Sequence, residues 1–279
     1  MARRDARNKT RYWCDPRVPG VSLLRAEFTT YQYVPHIHDT YVLAATETGG
    51  AAITSRGQTV DASPSTIFLA NPMEPQAASM RSSGPWRYRA LYLSDSAALN
   101  IARALGLDHL PYFVTSLCTD AGIADAIISL HRALEETTEE EEQTDTHMRL
   151  IDTMGALIEH HGTARYPAMT ASNDVVRRVI STMHDRYADR LRLEDLSAPI
   201  GVSPFQLIAL FKRTIGMTPY TYLTQVRLRE ARQSLLSGHA LAYVAAASGF
   251  YDQSAFTRHF KRSYGITPLQ FAAAVRARA

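Results

Sequence analysis

Two histidines that stand one residue apart, His36 and His38, are the residues of this chain best suited to metal chemistry. On a β-strand this spacing places both imidazoles on one face, which is a common start to a zinc or iron site. A metal-dependent barrel enzyme would also need a carboxylate a few residues later and a third histidine on a later strand. Residues 42–46 contain no acid, and Gln76 stands where the third histidine is expected. We therefore predict no metal, no cofactor and no catalytic residue.

A sequence repeat near the end of the chain points to a different chemistry. Residues 211–219 (FKRTIGMTP) recur as residues 260–268 (FKRSYGITP), 49 positions further on. Each copy is preceded by a short helical pattern and a glycine turn, at Gly201 or Gly249, and its own helix ends in Lys-Arg. Two such helix-turn-helix units are typical of a protein that places two helices in successive major grooves of DNA.

The second helix of each unit supplies the side chains for this contact. Near the start of a helix in the major groove, short polar side chains and arginine read base edges, and basic residues at its end contact phosphates. Arg258 suits guanine and Gln253 suits adenine, whereas Ile208 and Ala209 favour thymine methyl groups. We expect base contacts from Phe205, Gln206, Ala209, Gln253, Ser254, Thr257 and Arg258. We expect phosphate contacts from Ser203, Lys212, Arg213, Lys261 and Arg262.

Charge and composition agree with this interpretation. Residues 173–279 carry a net charge of +8, whereas residues 1–172 carry −5, so the second half of the chain is the part suited to a polyanion. The two cysteines form neither a disulfide framework nor a metal-ligand spacing. No apolar run is long enough to span a membrane, and the basic start has no apolar stretch of a signal peptide. We predict a cytoplasmic protein.

Hydrophobic periodicity divides the chain into an α+β arrangement of two domains. Short alternating segments separated by turn residues predict a sandwich or barrel, and helical spacing follows. One helical stripe, Ile151, Met154 and Ile158, packs either on the barrel or on a twin subunit as a dimerisation face. The acidic run at residues 135–142 is expected to be solvated and has no predicted role. The predicted segments are a flexible basic arm (1–20), the barrel (21–95), a helical support and dimerisation region (96–161), a linker (162–172) and a helical DNA-binding domain (173–279).

The carboxyl-terminal repeat resembles the AraC/XylS family of bacterial transcription regulators. The residues that carry the resemblance include Gly201-Val202-Ser203-Pro204, Phe211-Lys212, Gly216-Met217-Thr218-Pro219, Arg227-Leu228, Gly249-Phe250, Phe260-Lys261 and Gly265-Ile266-Thr267-Pro268. The resemblance implies a long helix, about Thr218 to Ser237, that joins the two units rigidly, and activation of transcription through RNA polymerase. Three residues depart from the family pattern: Ala209 stands where a base-reading arginine is frequent, Ile208 is apolar, and Pro199 interrupts the first helix.

The amino-terminal half resembles the cupin-like, small-molecule-binding barrel of the same regulators. The segments around His36, Asn71 and Trp86 carry this looser match. It implies an effector at the barrel mouth and helices that support a homodimer. The candidate effector-binding residues are Arg25, His36, His38, Gln76, Tyr88 and Tyr92. The alternative is that Tyr88 and Tyr92 are barrel core and that the two histidines are surface residues.

The sequence as a whole predicts a sequence-specific DNA-binding transcription regulator, an activator, that responds to a small molecule bound in the barrel. Its expected partners are double-stranded promoter DNA, the effector, RNA polymerase and a second copy of the chain. Two alternatives remain open at this point. One is a metal-dependent cupin enzyme with a DNA-binding tail, and the other is an architectural DNA-binding protein without an effector.

Overall fold

The computed structural model describes residues 8–80, 84–136, 143–163 and 174–276, and these residues form two compact units. The amino-terminal unit holds the described residues up to 163, apart from residues 33–37. The carboxyl-terminal unit holds residues 174–276 together with residues 33–37. The start of the predicted arm, most of the acidic run and most of the predicted linker lie outside the described residues (1–7, 137–142 and 164–172).

Antiparallel β-strands make up most of the amino-terminal unit. The strands are β1 (Lys9–Cys14), β2 (Val21–Phe28), β3 (Gln32–His36), β4 (Tyr41–Thr48), β5 (Ala51–Ser55), β6 (Gln58–Ala62), β7 (Thr66–Ala70), β8 (Gln76–Met80), β9 (Trp86–Leu93), β10 (Tyr112–Phe113), β11 (Leu117–Thr119) and β12 (Gly162–Thr163). Residues 33–36 of β3 belong to the carboxyl-terminal unit. Six of them form one sheet in the order β1-β2-β9-β4-β7-β11. β5 pairs on one side with β6 and on the other with β8, and β10 pairs with β12.

The central strands of the six-stranded sheet have two chemically different faces. Leu23 of β2 pairs with Leu91 of β9, and Ala26 pairs with Tyr88, so the two pairs lie on opposite faces. The leucine face is buried against three helices, α1 (Asp95–Ala104), α2 (Ala121–Glu136) and α3 (Gln143–His161). The other, which we call the tyrosine face, carries Tyr88 and Tyr92. Both faces are buried, but the leucine face is covered by helices, whereas the tyrosine face is rich in aromatic side chains such as Trp86 and Tyr88.

The structure corrects three predictions for this unit. Residues 9–14 of the predicted flexible arm form β1, which pairs with β2 along its whole length. Met154 is fully buried in the core beneath the sheet, and Ile151 and Ile158 pack against that core. The proposed dimerisation stripe is thus used inside the chain, because it covers the leucine face. Gly162 and Thr163 of the predicted linker are paired in β12.

The carboxyl-terminal unit is built of helices in the described residues 174–276. They are α4 (Asp174–Asp185), α5 (Leu193–Ser197), a 3-10 turn (Ala198–Ile200), α6 (Pro204–Ile215), α7 (Pro219–Leu236), α8 (Leu241–Ala247), α9 (Gln253–Tyr264) and α10 (Pro268–Arg276). Pro199 lies in the 3-10 turn, where the α-helix has already ended, because proline lacks the backbone donor that would continue it.

The long helix α7 contributes to the cores of both helix-turn-helix units. Tyr222, Leu223 and Val226 pack with Leu207 and Phe211 in the core of the first unit. Further along α7, Leu228, Ala231 and Leu235 are also buried. The predicted α+β architecture, with two helix-turn-helix units joined by a long helix, is confirmed. None of the helices in the described part of the chain has the length and apolarity that a membrane span requires.

Candidate nucleic-acid interface and tyrosine face

The helices α6 and α9 have the same length and the same kinds of helix ends, an arrangement that we call their shared frame. Each has twelve residues and begins after a capping side chain: Ser203 Oγ accepts from Gln206 N at 3.2 Å, and Asp252 Oδ1 accepts from Ala255 N at 2.6 Å. Each ends at a glycine in the left-handed region, Gly216 with φ 83° and Gly265 with φ 75°. A residue of α6 therefore corresponds to the residue 49 positions later in α9.

Both helices bury an apolar residue at the same two positions, and most of the predicted contact residues are exposed on each. Leu207 and Phe211 of α6, and Phe256 and Phe260 of α9, are completely buried. The predicted DNA-contacting residues lie on the remaining surface. Phe205, Gln206, Ala209, Lys212, Arg213, Gln253, Ser254, Arg258 and Arg262 are exposed, together with the cap Ser203, whereas Thr257 and Lys261 are half-buried. The structure thus brings the predicted set together as one exposed stripe on each helix.

The two stripes differ in chemistry at equivalent positions. Phe205 in α6 corresponds to Ser254 in α9, and Ala209 corresponds to Arg258. Gln206 is partly engaged inside its own helix, because its Oε1 accepts from Ser203 N at 2.8 Å in a capping box. The one long polar side chain at the start of α6 therefore supports the helix cap, whereas Arg258 of α9 is exposed.

The second unit contains one residue more than the first in the turn between its two helices. Gly201 matches Gly249 at a spacing of 48, whereas the following helices match at 49, so the second turn contains one extra residue. Phe250 packs on Phe256 with ring centroids 5.2 Å apart, and this leaves Tyr251 outside the core with 88% of its surface exposed. The change from 48 to 49 was the signal in the sequence that identifies Tyr251 as the insertion.

The second turn is held in place by the loop that precedes α5. Gly249 has φ +76°, and a Cβ at this position would lie 2.8 Å from the carbonyl oxygens of Tyr187 and Ala188. Arg227 of α7 binds the same loop, since its guanidinium donates to Tyr187 O and Asp189 O, both at 2.7 Å. Burial lowers the pKa of Arg227. Gly249 and Arg227 thereby attach α4, α7 and the second turn to one short segment.

Four of the predicted effector-binding residues lie in the amino-terminal unit, three of them on β-strands and His38 in the loop between β3 and β4. His38 and Tyr92 have ring centroids 5.1 Å apart, so the structure brings these two together. Tyr88 lies two pairs further along the same face and packs on Trp86 at 4.5 Å. Gln76 is buried on β8, where it pairs with Ser55 of β5. These side chains therefore come from β8, β9 and the loop before β4.

The other two predicted effector-binding residues are placed differently from the prediction. Arg25 lies on the leucine face, with 53% of its side chain exposed, and its Nη1 binds Glu135 Oε1 of α2 at 3.0 Å. Arg25 is therefore an ion-pair residue, and the prediction that it lies in the effector-binding site is corrected. His36 belongs to the carboxyl-terminal unit, where it is buried and its Nδ1 lies 2.7 Å from Val34 O. Burial, opposed by this hydrogen bond, lowers the pKa of His36 to about 4.

Glu135, which the sequence analysis gave no role, is the centre of a buried charge network. Its side chain is 7% exposed, and its Oε2 lies 2.6 Å from Nη1 of Arg89. Arg89 also binds Glu47 Oε1 at 3.0 Å and lies 2.9 Å from Nδ1 of His131. Burial raises the pKa of Glu135, but hydrogen bonds from Arg89 and Arg25 outweigh it and lower that pKa to about 2. This network joins α2 to β9.

Metal ligands do not converge in the part of the chain that the structure describes. Within residues 8–80, 84–136, 143–163 and 174–276, no three side chains of histidine, cysteine, aspartate or glutamate are placed to hold one ion. His36 and His38, whose spacing is typical of a metal site, belong to different units.

Comparisons with known proteins agree with both halves of this description. Residues 18–151 match a family described as the AraC-like ligand binding domain, and residues 196–274 match a helix-turn-helix domain. The HTH-type transcriptional regulator YbfI of Bacillus subtilis is 26% identical over 221 residues, which cover 78% of this chain and 79% of that protein. The Msm operon regulatory protein of Streptococcus mutans is 23% identical and covers 86% of this chain and 87% of its own.

Among solved structures, an apo ToxT variant from Vibrio cholerae has the same fold. It superposes with a TM-score of 0.55 at 11% identity and covers 92% of this chain and 98% of its own. Its likeness supports the two-domain architecture alone. Taken with the two family matches and the two full-length relatives, these observations show that the chain is a DNA-binding transcription regulator with a ligand-binding domain, and that it belongs to the AraC family.

Proposed function

We propose that this regulator activates transcription at promoters that it reads with both α6 and α9, under the control of a small molecule bound by the amino-terminal unit. The observation that supports this proposal is the shared frame of the two helices. Both helices begin at a capping side chain, end at a left-handed glycine and bury residues at two equivalent positions, so each exposes its stripe at equivalent positions of its helix-turn-helix unit. A second recognition helix with this frame serves to extend base reading into a second major groove.

In this proposal the exposed residues of α9 select the sequence. Arg258 is exposed, and its guanidinium can donate two hydrogen bonds to O6 and N7 of a guanine. Lys261 and Arg262 at the end of α9, like Lys212 and Arg213 at the end of α6, contact phosphates and fix the register. Losing a base contact weakens binding at one base pair, whereas losing a phosphate contact weakens binding to all sequences alike.

The test compares two arginine variants of the full chain. Arg258→Ala should weaken binding to the selected operator by about 1–3 kcal/mol and leave binding to random duplex nearly unchanged. Arg178→Ala removes the same charge from an exposed position of α4 and serves as the control. Equal losses of Arg258→Ala on operator and on random DNA would remove its role in base reading. A steep salt dependence with no preference for any sequence would instead indicate an architectural DNA-binding protein.

For the effector, we propose that His38 and Tyr92 form the polar end of the binding region and that Tyr88 and Gln76 complete it. The closeness of the His38 and Tyr92 rings supports this grouping. A metabolite panel should reveal a compound that raises the melting temperature of the full chain, by mass action on the folded state. His38→Ala should abolish that increase, whereas His109→Ala, at a partly exposed histidine of the same unit, should retain it.

We further propose that the regulator acts in the cytoplasm as a homodimer that contacts RNA polymerase. The ligand can regulate this assembly only if it binds two arrangements of the protein with unequal affinity. Sedimentation with and without the compound that raises the melting temperature measures the assembly. A fusion of the promoter to a reporter gene measures transcription. Expression that falls when the protein is supplied would assign repression in place of activation.

A further inference from the structure

We infer that the two recognition helices read unlike chemistry: α6 recognises thymine methyl groups, whereas α9 recognises hydrogen-bonding base edges. The operator would then have two chemically different halves. This inference rests on the proposed function, because it assumes that both helices enter major grooves. It goes further by naming the chemical group that each helix detects.

Two exposed side chains at the start of α6, where a recognition helix meets the bases, are apolar. Phe205, the second residue of the helix, is 84% exposed, and Ala209 one turn later is also exposed. Between Pro204 and Leu210, Gln206 is the only residue with a polar side chain, and its Oε1 accepts from the backbone of Ser203. Apart from Gln206, whose amide oxygen is engaged in the helix cap, the first two turns of α6 expose the ring of Phe205 and the methyl group of Ala209.

The packing of α6 shows that the side chain of Phe205 is not part of the core. Leu207 and Phe211 already fill the interior positions of the helix and are completely buried. The equivalent position in α9 holds Ser254, so the shared frame does not require an aromatic residue there. A large apolar side chain at this place is explained if it is covered when DNA binds.

Thymine offers the matching surface. It is the base whose major-groove edge carries a methyl group, and apolar side chains such as phenylalanine and alanine contact that group. Covering one methyl group corresponds to a change of about fourfold in Kd. α9 differs at both equivalent positions, since Ser254 and Arg258 present a hydroxyl and a guanidinium. These groups recognise hydrogen-bond acceptors, which guanine provides at O6 and N7.

The experiment uses base analogues that remove one recognised group at a time. An operator is selected from a random duplex pool with the full-length protein, and synthetic copies replace single thymines by deoxyuridine or single guanines by 7-deazaguanine. Deoxyuridine lacks the thymine methyl group, and 7-deazaguanine lacks the N7 acceptor. Each copy is titrated with the native protein, Phe205→Ala, Phe205→Leu and Arg258→Ala.

Each alanine substitution should abolish the sensitivity to one base analogue and leave the sensitivity to the other unchanged. Deoxyuridine in one half of the operator should weaken binding of the native protein about fourfold per methyl group. This sensitivity should vanish in Phe205→Ala, persist in part in Phe205→Leu, and remain intact in Arg258→Ala. The loss caused by 7-deazaguanine in the other half should vanish in Arg258→Ala and remain in Phe205→Ala. Since Phe205 is exposed, its variants should keep the native circular dichroism and melting temperature.

Two different outcomes separate this inference from the function on which it rests. If the native protein enriches a sequence but tolerates deoxyuridine throughout, or if Phe205→Ala keeps the native sensitivity, the inference is overturned and sequence-specific binding stands. If no sequence is enriched, the proposed base reading itself fails.

Discussion

Gly201 and Gly249 occupy the same turn position in the two helix-turn-helix units, and this allows a matched test of the packing around the second turn. Both have left-handed backbone, with φ +70° and +76°. Their surroundings differ, because nothing lies within 4 Å of a Cβ at Gly201, whereas a Cβ at Gly249 would lie 2.8 Å from two carbonyl oxygens. Gly201→Ala therefore measures backbone strain alone, and Gly249→Ala measures strain and overlap together.

The magnitudes follow from these two terms. A left-handed conformation costs an alanine about 1–2 kcal/mol, and the stiffer unfolded chain offsets about 0.4–1 kcal/mol of it. Gly201→Ala should therefore destabilise its unit by about 1 kcal/mol. Overlap with packed backbone adds about 1–3 kcal/mol, so Gly249→Ala should reach about 2–4 kcal/mol. The difference between the variants corresponds to a factor of about 5–150 in the opening equilibrium.

Amide hydrogen exchange of the full chain, read by mass spectrometry, measures this equilibrium segment by segment. Gly249→Ala should accelerate exchange in α8 and α9 far more than Gly201→Ala accelerates exchange in α5 and α6. Exchange in β2, β4 and β9 serves as the internal control and should not change. Equal acceleration by the two substitutions would refute the reasoning, because it would show that the backbone of residues 187–188 does not confine the second turn.

Three further predictions concern the amino-terminal unit, which contains both tryptophans of the chain, so that intrinsic fluorescence follows its unfolding. Glu135→Gln should lower its free energy of unfolding by about 1.5–3 kcal/mol, because the buried guanidinium of Arg89 loses one of its two charged partners and keeps Glu47. The same change at the exposed neighbour, Glu136→Gln, should alter it by less than about 0.5 kcal/mol. Equal shifts of the two variants in urea titrations would contradict the network. Stability should fall as the pH drops below about 6.5, because burial and the charge of Arg89 lower the pKa of His131 to about 3, so that only the unfolded chain takes up a proton there. It should fall further below about 4.5, where Glu135 is protonated in the unfolded chain but not in the folded one. Constant stability from about pH 7 to 4 would contradict this prediction. Burial raises the pKa of Cys118 to about 11, so iodoacetamide should label this thiol about a hundredfold more slowly than a free thiol at about pH 8. Mass spectrometry measures the labelling rate, and a rate equal to that of a free thiol would refute the burial of Cys118.

The core network and the interface differ in how far the sequence could predict them. Arg25 and Glu135 are 110 residues apart in the chain, and no local pattern brings an exposed strand residue to the end of a particular helix. The alternation of β2 placed Arg25 on a face, but only the packing of α2 against the sheet showed that this face is covered by helices. The acidic run likewise read as solvated, because charge patterning alone cannot identify the one carboxylate that meets a buried guanidinium.

Tertiary packing also decided the fate of side chains whose positions were predicted. Gln206 was expected on the recognition face, and it is there, but its carbonyl oxygen accepts a hydrogen bond from the start of its own helix. Met154 was expected on an apolar stripe, and that stripe turned out to cover the leucine face of the sheet. His36 was grouped with His38 by spacing, yet the chain passes from one unit to the other between them.

The repeat, its helix caps and its glycine turns could be read directly from the sequence, because helix phase, capping and left-handed turns depend on residues within a few positions of one another. That local information was enough to predict the two recognition helices, the long helix between them and which side of each would be exposed. The partners of Arg25, Glu135 and Met154 depend on contacts between segments that are distant in the chain. Such contacts are determined by how sheets and helices pack together, and only the folded structure reveals them.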